Sequence, residues 1–207
     1  MNMSYRQWLP HHDAPFFRRL HLFVAVLILS QIINSGFTER EALGGHSLET
    51  VITWFHILSG LLLIVAGFAM LIWMRMQRGL HWYFSWLTLD FRGIRDDLAC
   101  LARMKLPDAH SGGIAATVQG LGVSALLVVA CSGALWFLLN STSFASPGLT
   151  HAVLHWHRFL TTFVEIYFYS HGAMGVLHIL LSHYENKRTR RVADHRDNEC
   201  NTVKRIK

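Results

Sequence analysis

The chain is short of charge. Asp, Glu, Lys and Arg make up 15% of its 207 residues, against roughly 25% in an ordinary soluble domain. It is also short of cysteine, with Cys100, Cys131 and Cys200 in no CxxC or CxxCH spacing. That leaves no case for a disulfide framework, a zinc site or a covalently attached c-type haem. The stretch before Arg18 has neither an apolar core nor a small-residue cleavage site, so no cleaved signal peptide is expected. No internal repeat stands out, although Ser35-Gly36 and Ser132-Gly133 are similarly placed small pairs.

What the chain has instead is apolar length. Hydrophobic residues reach 52%, with seven Trp and 13 Phe, and the mean hydropathy is +0.28. The apolar residues gather in four blocks, each long enough to cross the roughly 30 Å hydrocarbon core of a bilayer. Helices are expected over residues 18–36, 48–74, 112–139 and 150–183. An amphipathic stretch at 80–106, rich in Trp and Arg, reads as one or two short helices lying on the membrane surface. The polar, basic residues 185–207 read as a poorly ordered tail. The fold class expected is all-α, an integral-membrane four-helix bundle. Its divisions are an N-terminal segment 1–17, a transmembrane domain 18–183 and a basic tail 184–207.

The net charge of +6 and pI near 9.6 superficially suggest nucleic acid. The basic residues, however, flank the apolar blocks, as membrane topology requires, and nucleic acid is excluded as a partner. Arg6, Arg18 and Arg19 precede the first block. Arg75, Arg78, Arg92, Arg95, Arg103 and Lys105 fill the second loop, and the tail carries eight more. The first loop has only Arg40, and the stretch between the third and fourth blocks has none before Arg158. Both termini are therefore expected in the cytoplasm, with the two neutral loops facing the periplasm of a bacterial inner membrane.

Four histidines lie inside apolar runs: His21, His56, His157 and His171. Titratable groups within a bilayer are costly and usually functional. His157 and His171 are 14 residues apart, about 21 Å of helix with a facing error of about 40°. With the expected directions, His56 and His157 share the periplasmic side, while His21 and His171 share the cytoplasmic half. The third helix has no histidine to offer. Imidazole is the usual protein ligand of haem iron, and a bis-His pair saturates it, favouring electron transfer over oxygen chemistry. The expectation is two non-covalent b-type haems, with His21, His56, His157 and His171 as iron ligands.

Secondary residues follow from the same frame. Gly60, four residues after His56 on the same helical face, lets a porphyrin approach the backbone; ordinary helix packing also uses such glycines. Gly67 is open to the same two readings, whereas Ala116, Gly120 and Ser124 read as packing. Arg158 is placed to neutralise a haem propionate, with a snorkelling interfacial arginine as the alternative. His178 stands seven residues beyond His171. It is an alternative partner for His21, a hydrogen-bond donor to quinone or propionate, or an interfacial residue. Glu165 falls between the two ligand levels, as a proton-relay group or as a protonated acid bonded to Thr161 or Thr162.

At these residues the chain resembles the prokaryotic cytochrome b561 superfamily, in its hydrogenase and formate-dehydrogenase cytochrome b subunit branch. Arg19-Leu20-His21 opens the first helix, and Phe55-His56-Ile57-Leu58-Ser59-Gly60 lies in the second. His155-Trp156-His157-Arg158 is followed by Ser170-His171 in the fourth. The resemblance covers nearly all of residues 16–183 and implies the same four ligands. It also implies electron transfer between a periplasmic partner and membrane quinone, with quinone near the cytoplasmic haem and the 108–119 loop. Here that loop reads Pro107-Asp108-Ala109-His110-Ser111-Gly112-Gly113, without the Gln-Lys pair usual in the formate-dehydrogenase subunits. An arginine frequent late in the second helix is also absent from mid-helix, with Arg75 nearer the end. The expected function is a membrane-anchor subunit of a dehydrogenase or reductase, served by a periplasmic iron–sulfur or other redox subunit. The alternatives are a stand-alone b561-type quinone oxidoreductase and a haem-free assembly or transport protein.

Overall fold

The structure, a computed structural model, describes residues 15–38, 48–103, 110–142 and 146–205. Arg6, Arg40 and Lys105 of the charge argument, and the first residues of the 108–119 loop, lie outside the described residues. The described residues are almost all helical: α1 Pro15–Ser35, α2 Leu48–Arg78, α3 Leu80–Phe84, a 3-10 turn Ser85–Thr88, α4 Arg92–Ala102, α5 Ile114–Ser141 and α6 Pro147–Arg205. They fall into two compact units. One spans Phe16–Phe168, and the other takes in the described residues from Tyr169 onward.

Several boundaries differ from the expected ones, for local reasons. α2 runs four residues past Met74 and stops at Gly79, whose φ of +76° suits glycine. The Gly79 N–H still bonds the Arg75 carbonyl at 3.0 Å. α6 starts at Pro147 rather than Thr150. Ser146 caps it, its Oγ accepting from Leu149 N–H at 3.3 Å, and proline fits the first helical position because its missing N–H has no helical partner there. At its far end α6 continues to Arg205, where loose tail was expected. No proline or glycine follows Gly175, and nothing local interrupts the helix.

α1, α2 and α5 are long and apolar enough to cross a membrane. Only 17%, 33% and 22% of the residues in their apolar windows are buried within the protein. The rest present Leu22, Val26, Ile33, Leu58, Val65 and Leu138 outward, far more contiguous apolar surface than a water-soluble protein tolerates. α6, expected as a fourth span, is long enough but does not reach the same hydropathy. His155, His157, Arg158, Glu165 and a run of Tyr, Ser and Thr dilute it. The chain is a multi-pass membrane protein.

Packing within Phe16–Phe168 centres on α2 against α5, with α3 laid on α5. α1 runs antiparallel to α2: Phe16 and Phe17 meet Trp73 at ring-centre distances of 5.2 and 6.3 Å, and Gln31 reaches Ser59 at the other end. Gly67 serves this packing, since an added Cβ would come 2.8 Å from a Leu127 methyl. Gly120 admits the α3 backbone, whose Tyr83 carbonyl would lie 2.6 Å from such a Cβ. The start of α5 is held from α4, where the buried Asp97 carboxylate accepts from Ile114 N–H at 2.6 Å. A carboxylate there also faces the positive end of the α5 dipole.

Candidate functional site

The site begins with two imidazoles. His56 of α2 and His157 of α6 face each other with ring centres 6.5 Å apart and planes at 86°. That separation admits one metal ion bonded at about 2 Å to a nitrogen of each ring.

Each ring is turned by a bond to its Nδ1. On one side, His56 Nδ1 lies 2.6 Å from Asn34 Oδ1. On the other, His157 Nδ1 lies 3.1 Å from the Val129 carbonyl and 3.0 Å from Ser132 Oγ. An amide or peptide oxygen only accepts, so both Nδ1 atoms carry the hydrogen and both Nε2 lone pairs stay free to ligate. Metal-bound histidines are characteristically held by such a bond at the other ring nitrogen.

Neighbouring residues fasten these partners. Ser132 Oγ donates to the Val129 carbonyl at 2.8 Å, aligning the pair that receives His157. Gly133 gives the ring its room, because a Cβ there would lie 2.9 Å from His157 Cε1. On the His56 side, Gln31 Nε2 donates to Ser59 Oγ at 2.6 Å and to the His56 carbonyl at 2.9 Å. α1 is thereby tied to the turn of α2 that carries His56.

Between the helices is a cavity of about 420 Å³ with a mainly apolar wall, within the roughly 300–1,000 Å³ range of cofactor pockets. His56, Gly60, Gly133, His157, Arg158 and Glu165 all contribute to its wall. Gly60 is open to it, since an added Cβ would meet only Gln31 Nε2, at 3.8 Å. Ser35 and Gly36 line it too, so both small pairs of the sequence lie at this site.

The donor set says what kind of metal fits. Among the described residues no group of three or more His, Cys, Asp or Glu could hold a bare ion. Two opposed imidazoles across an apolar cavity instead suit a metal that brings its equatorial ligands with it, as haem iron does. A family model described as prokaryotic cytochrome b561 matches residues 12–184. The chain belongs to the prokaryotic cytochrome b561 family. Membership makes it a membrane b-type cytochrome of electron transfer and implies haem b. No curated protein and no solved structure matches it.

The remaining candidate residues are placed as follows. His21 lies on α1 with its ring edge-on to Phe17 at 6.3 Å. His171 and His178 lie on the part of α6 that belongs to the other unit, and the side chain of His178 is outside the described residues. Glu165 has no hydrogen bond to Thr161 or Thr162 among the described residues; the Thr161 hydroxyl donates to the Arg158 carbonyl at 2.6 Å.

Asn34, Gln31, Val129 and Ser132 were not foreseen as site residues. Two of them had left a signal: Gln31 and Asn34 are polar residues three apart inside an apolar block, and so share one helix face. Val129 acts only through its carbonyl, which no side-chain pattern reveals.

Proposed function

We propose that this chain is a di-haem cytochrome b that relays electrons across the inner membrane between a periplasmic redox partner and the quinone pool, as the membrane-anchor subunit of a dehydrogenase or reductase. The observation that carries the reading is the His56–His157 pair, opposed across an apolar cavity with both Nδ1 atoms engaged. A haem held there would supply single-electron exchange.

The chain's own residues do the rest. His56 and His157 would hold the haem, while Asn34 and Val129 fix ring orientation and tautomer. Gly60 leaves space for the macrocycle edge. Arg158, on the cavity wall, would neutralise a propionate by a charge-assisted bond. The apolar wall keeps water away and so sets the potential by burial.

The second haem rests on His21 and His171. The 14-residue spacing from His157 to His171 supports it, together with the charge pattern that sets α1 and α6 in opposite directions. His178 lies one heptad further and is the alternative partner of His21 or a donor to quinone or propionate. The four-span topology with cytoplasmic termini rests on the same charge asymmetry. The short neutral loops leave substrate chemistry to a periplasmic iron–sulfur or other redox subunit.

Haem counting tests this. The purified chain should carry two b-type haems by pyridine haemochrome, falling to one in His21→Ala or His171→Ala. A wild-type chain with a single haem would refute the di-haem reading. Purification from native membranes with no redox subunit attached would refute the role in a complex.

A further inference from the structure

The α6 face that carries His157 continues along the cavity as Arg158, Thr161, Val164 and Glu165, the repeat of one helix face. Glu165 is eight residues beyond His157, about 12 Å along the axis. It is half-buried and forms no ion pair or hydrogen bond among the described residues. A carboxyl so placed in an apolar stretch is costly to keep without a task.

The other groups on the wall define that task. α1 and the residues just after it contribute Gln31, Ser35 and Thr38 but no ionisable side chain, and α5 contributes none either. α2 contributes His56 and α6 contributes His157, both committed to the metal, together with Arg158. Glu165 is thus the only acid facing the cavity among the described residues. An electron entering a low-dielectric cavity adds a negative charge that water cannot screen. A carboxylate nearby then gains affinity for a proton, because like charges disfavour its ionised form.

We propose that Glu165 takes up the proton that balances the electron arriving at the His56–His157 site, so that reduction there is coupled to protonation. This rests on the haem reading of that site. The balance is one electron from a one-electron donor and one proton from the aqueous phase; the proton forms an O–H bond on the Glu165 carboxyl. Oxidation releases both. No other group on the wall changes its protonation.

The test is a spectroelectrochemical titration of the purified haem-loaded chain from about pH 4 to about pH 9, a window that brackets carboxyl titration. The potential of the haem that is lost in His56→Ala should fall with rising pH. A tenfold gain in proton affinity on reduction appears as about 59 mV between the acid and alkaline plateaus. In Glu165→Gln the potential should be flat, and Glu165→Asp should restore a slope. An indicator dye should also record proton uptake when the wild type is reduced electrochemically through methyl viologen, whose redox change carries no proton, with less uptake in Glu165→Gln. A flat wild-type titration, an unchanged slope in Glu165→Gln or no proton uptake would overturn the proposal. Those outcomes leave haem in place, whereas absence of haem would instead overturn the reading of the site itself.

Discussion

Replacing Asn34 by leucine keeps the size of the side chain but removes the acceptor that lies 2.6 Å from His56 Nδ1. Nothing else within hydrogen-bond reach of that nitrogen takes its place among the described residues. Loss of such a partner behind a metal-bound histidine typically costs 10- to 100-fold in affinity, or about 1.4 to about 2.8 kcal/mol. The same operation on the His157 side should be far milder. Ser132→Ala removes the hydroxyl at 3.0 Å, but His157 Nδ1 keeps the Val129 carbonyl at 3.1 Å. About 0.5 kcal/mol, roughly twofold, is then expected. The assay is transfer of haem from the detergent-solubilised cytochrome to excess apomyoglobin, followed in the Soret band. The component assigned to His56 and His157 should leave Asn34→Leu 10- to 100-fold more readily than wild type. Asn34→Asp, which restores an acceptor, should recover retention. Wild-type retention in Asn34→Leu, or equal losses in the two variants, would refute the asymmetric account of the ligand pair.

Further consequences concern the glycines and the α5 start. Gly60→Leu should abolish haem binding at this site while leaving the circular-dichroism melt near wild type, since a Cβ there meets only Gln31 Nε2. Gly67→Leu should instead destabilise the fold by about 1–3 kcal/mol, because it collides with Leu127. Gly133→Val should displace the His157 ring and shift the low-spin haem spectrum, as its Cβ would sit 2.9 Å from Cε1; an unchanged spectrum would contradict that placement. Asp97→Ala removes the carboxylate from Ile114 N–H and from the positive end of α5. It should cost about 1–2 kcal/mol in denaturant unfolding without changing haem content.

The long apolar blocks made the spans of α1, α2 and α5 legible, because bilayer thickness translates directly into chain length. α6, expected as a fourth span, does not reach their hydropathy. α6 carries the site-facing His157, Arg158 and Glu165, and those residues lower its hydropathy below that of its neighbours. Its start was legible in principle from Ser146-Pro147, a cap and a first-turn proline. The apolar pattern alone points to Thr150, where the hydrophobic face begins.

At the site, the pairing of His56 with His157 followed from depth and direction, and the geometry brings those two rings together. The network behind them did not follow. Asn34 and Gln31 sit in a helix whose other residues read only as apolar filling, and the receiving group for His157 is a backbone carbonyl. The two readings of Gly60 and Gly67 separate only with neighbours in view: one glycine faces the cavity and the other faces Leu127.

The most direct measurement is the near-infrared magnetic circular dichroism of the oxidised, purified chain alongside His56→Ala and His157→Ala. The account requires a bis-imidazole low-spin signal in wild type, with the same component missing from both variants. Full retention of that signal in either variant, or a wild-type chain with no haem absorption, would contradict it.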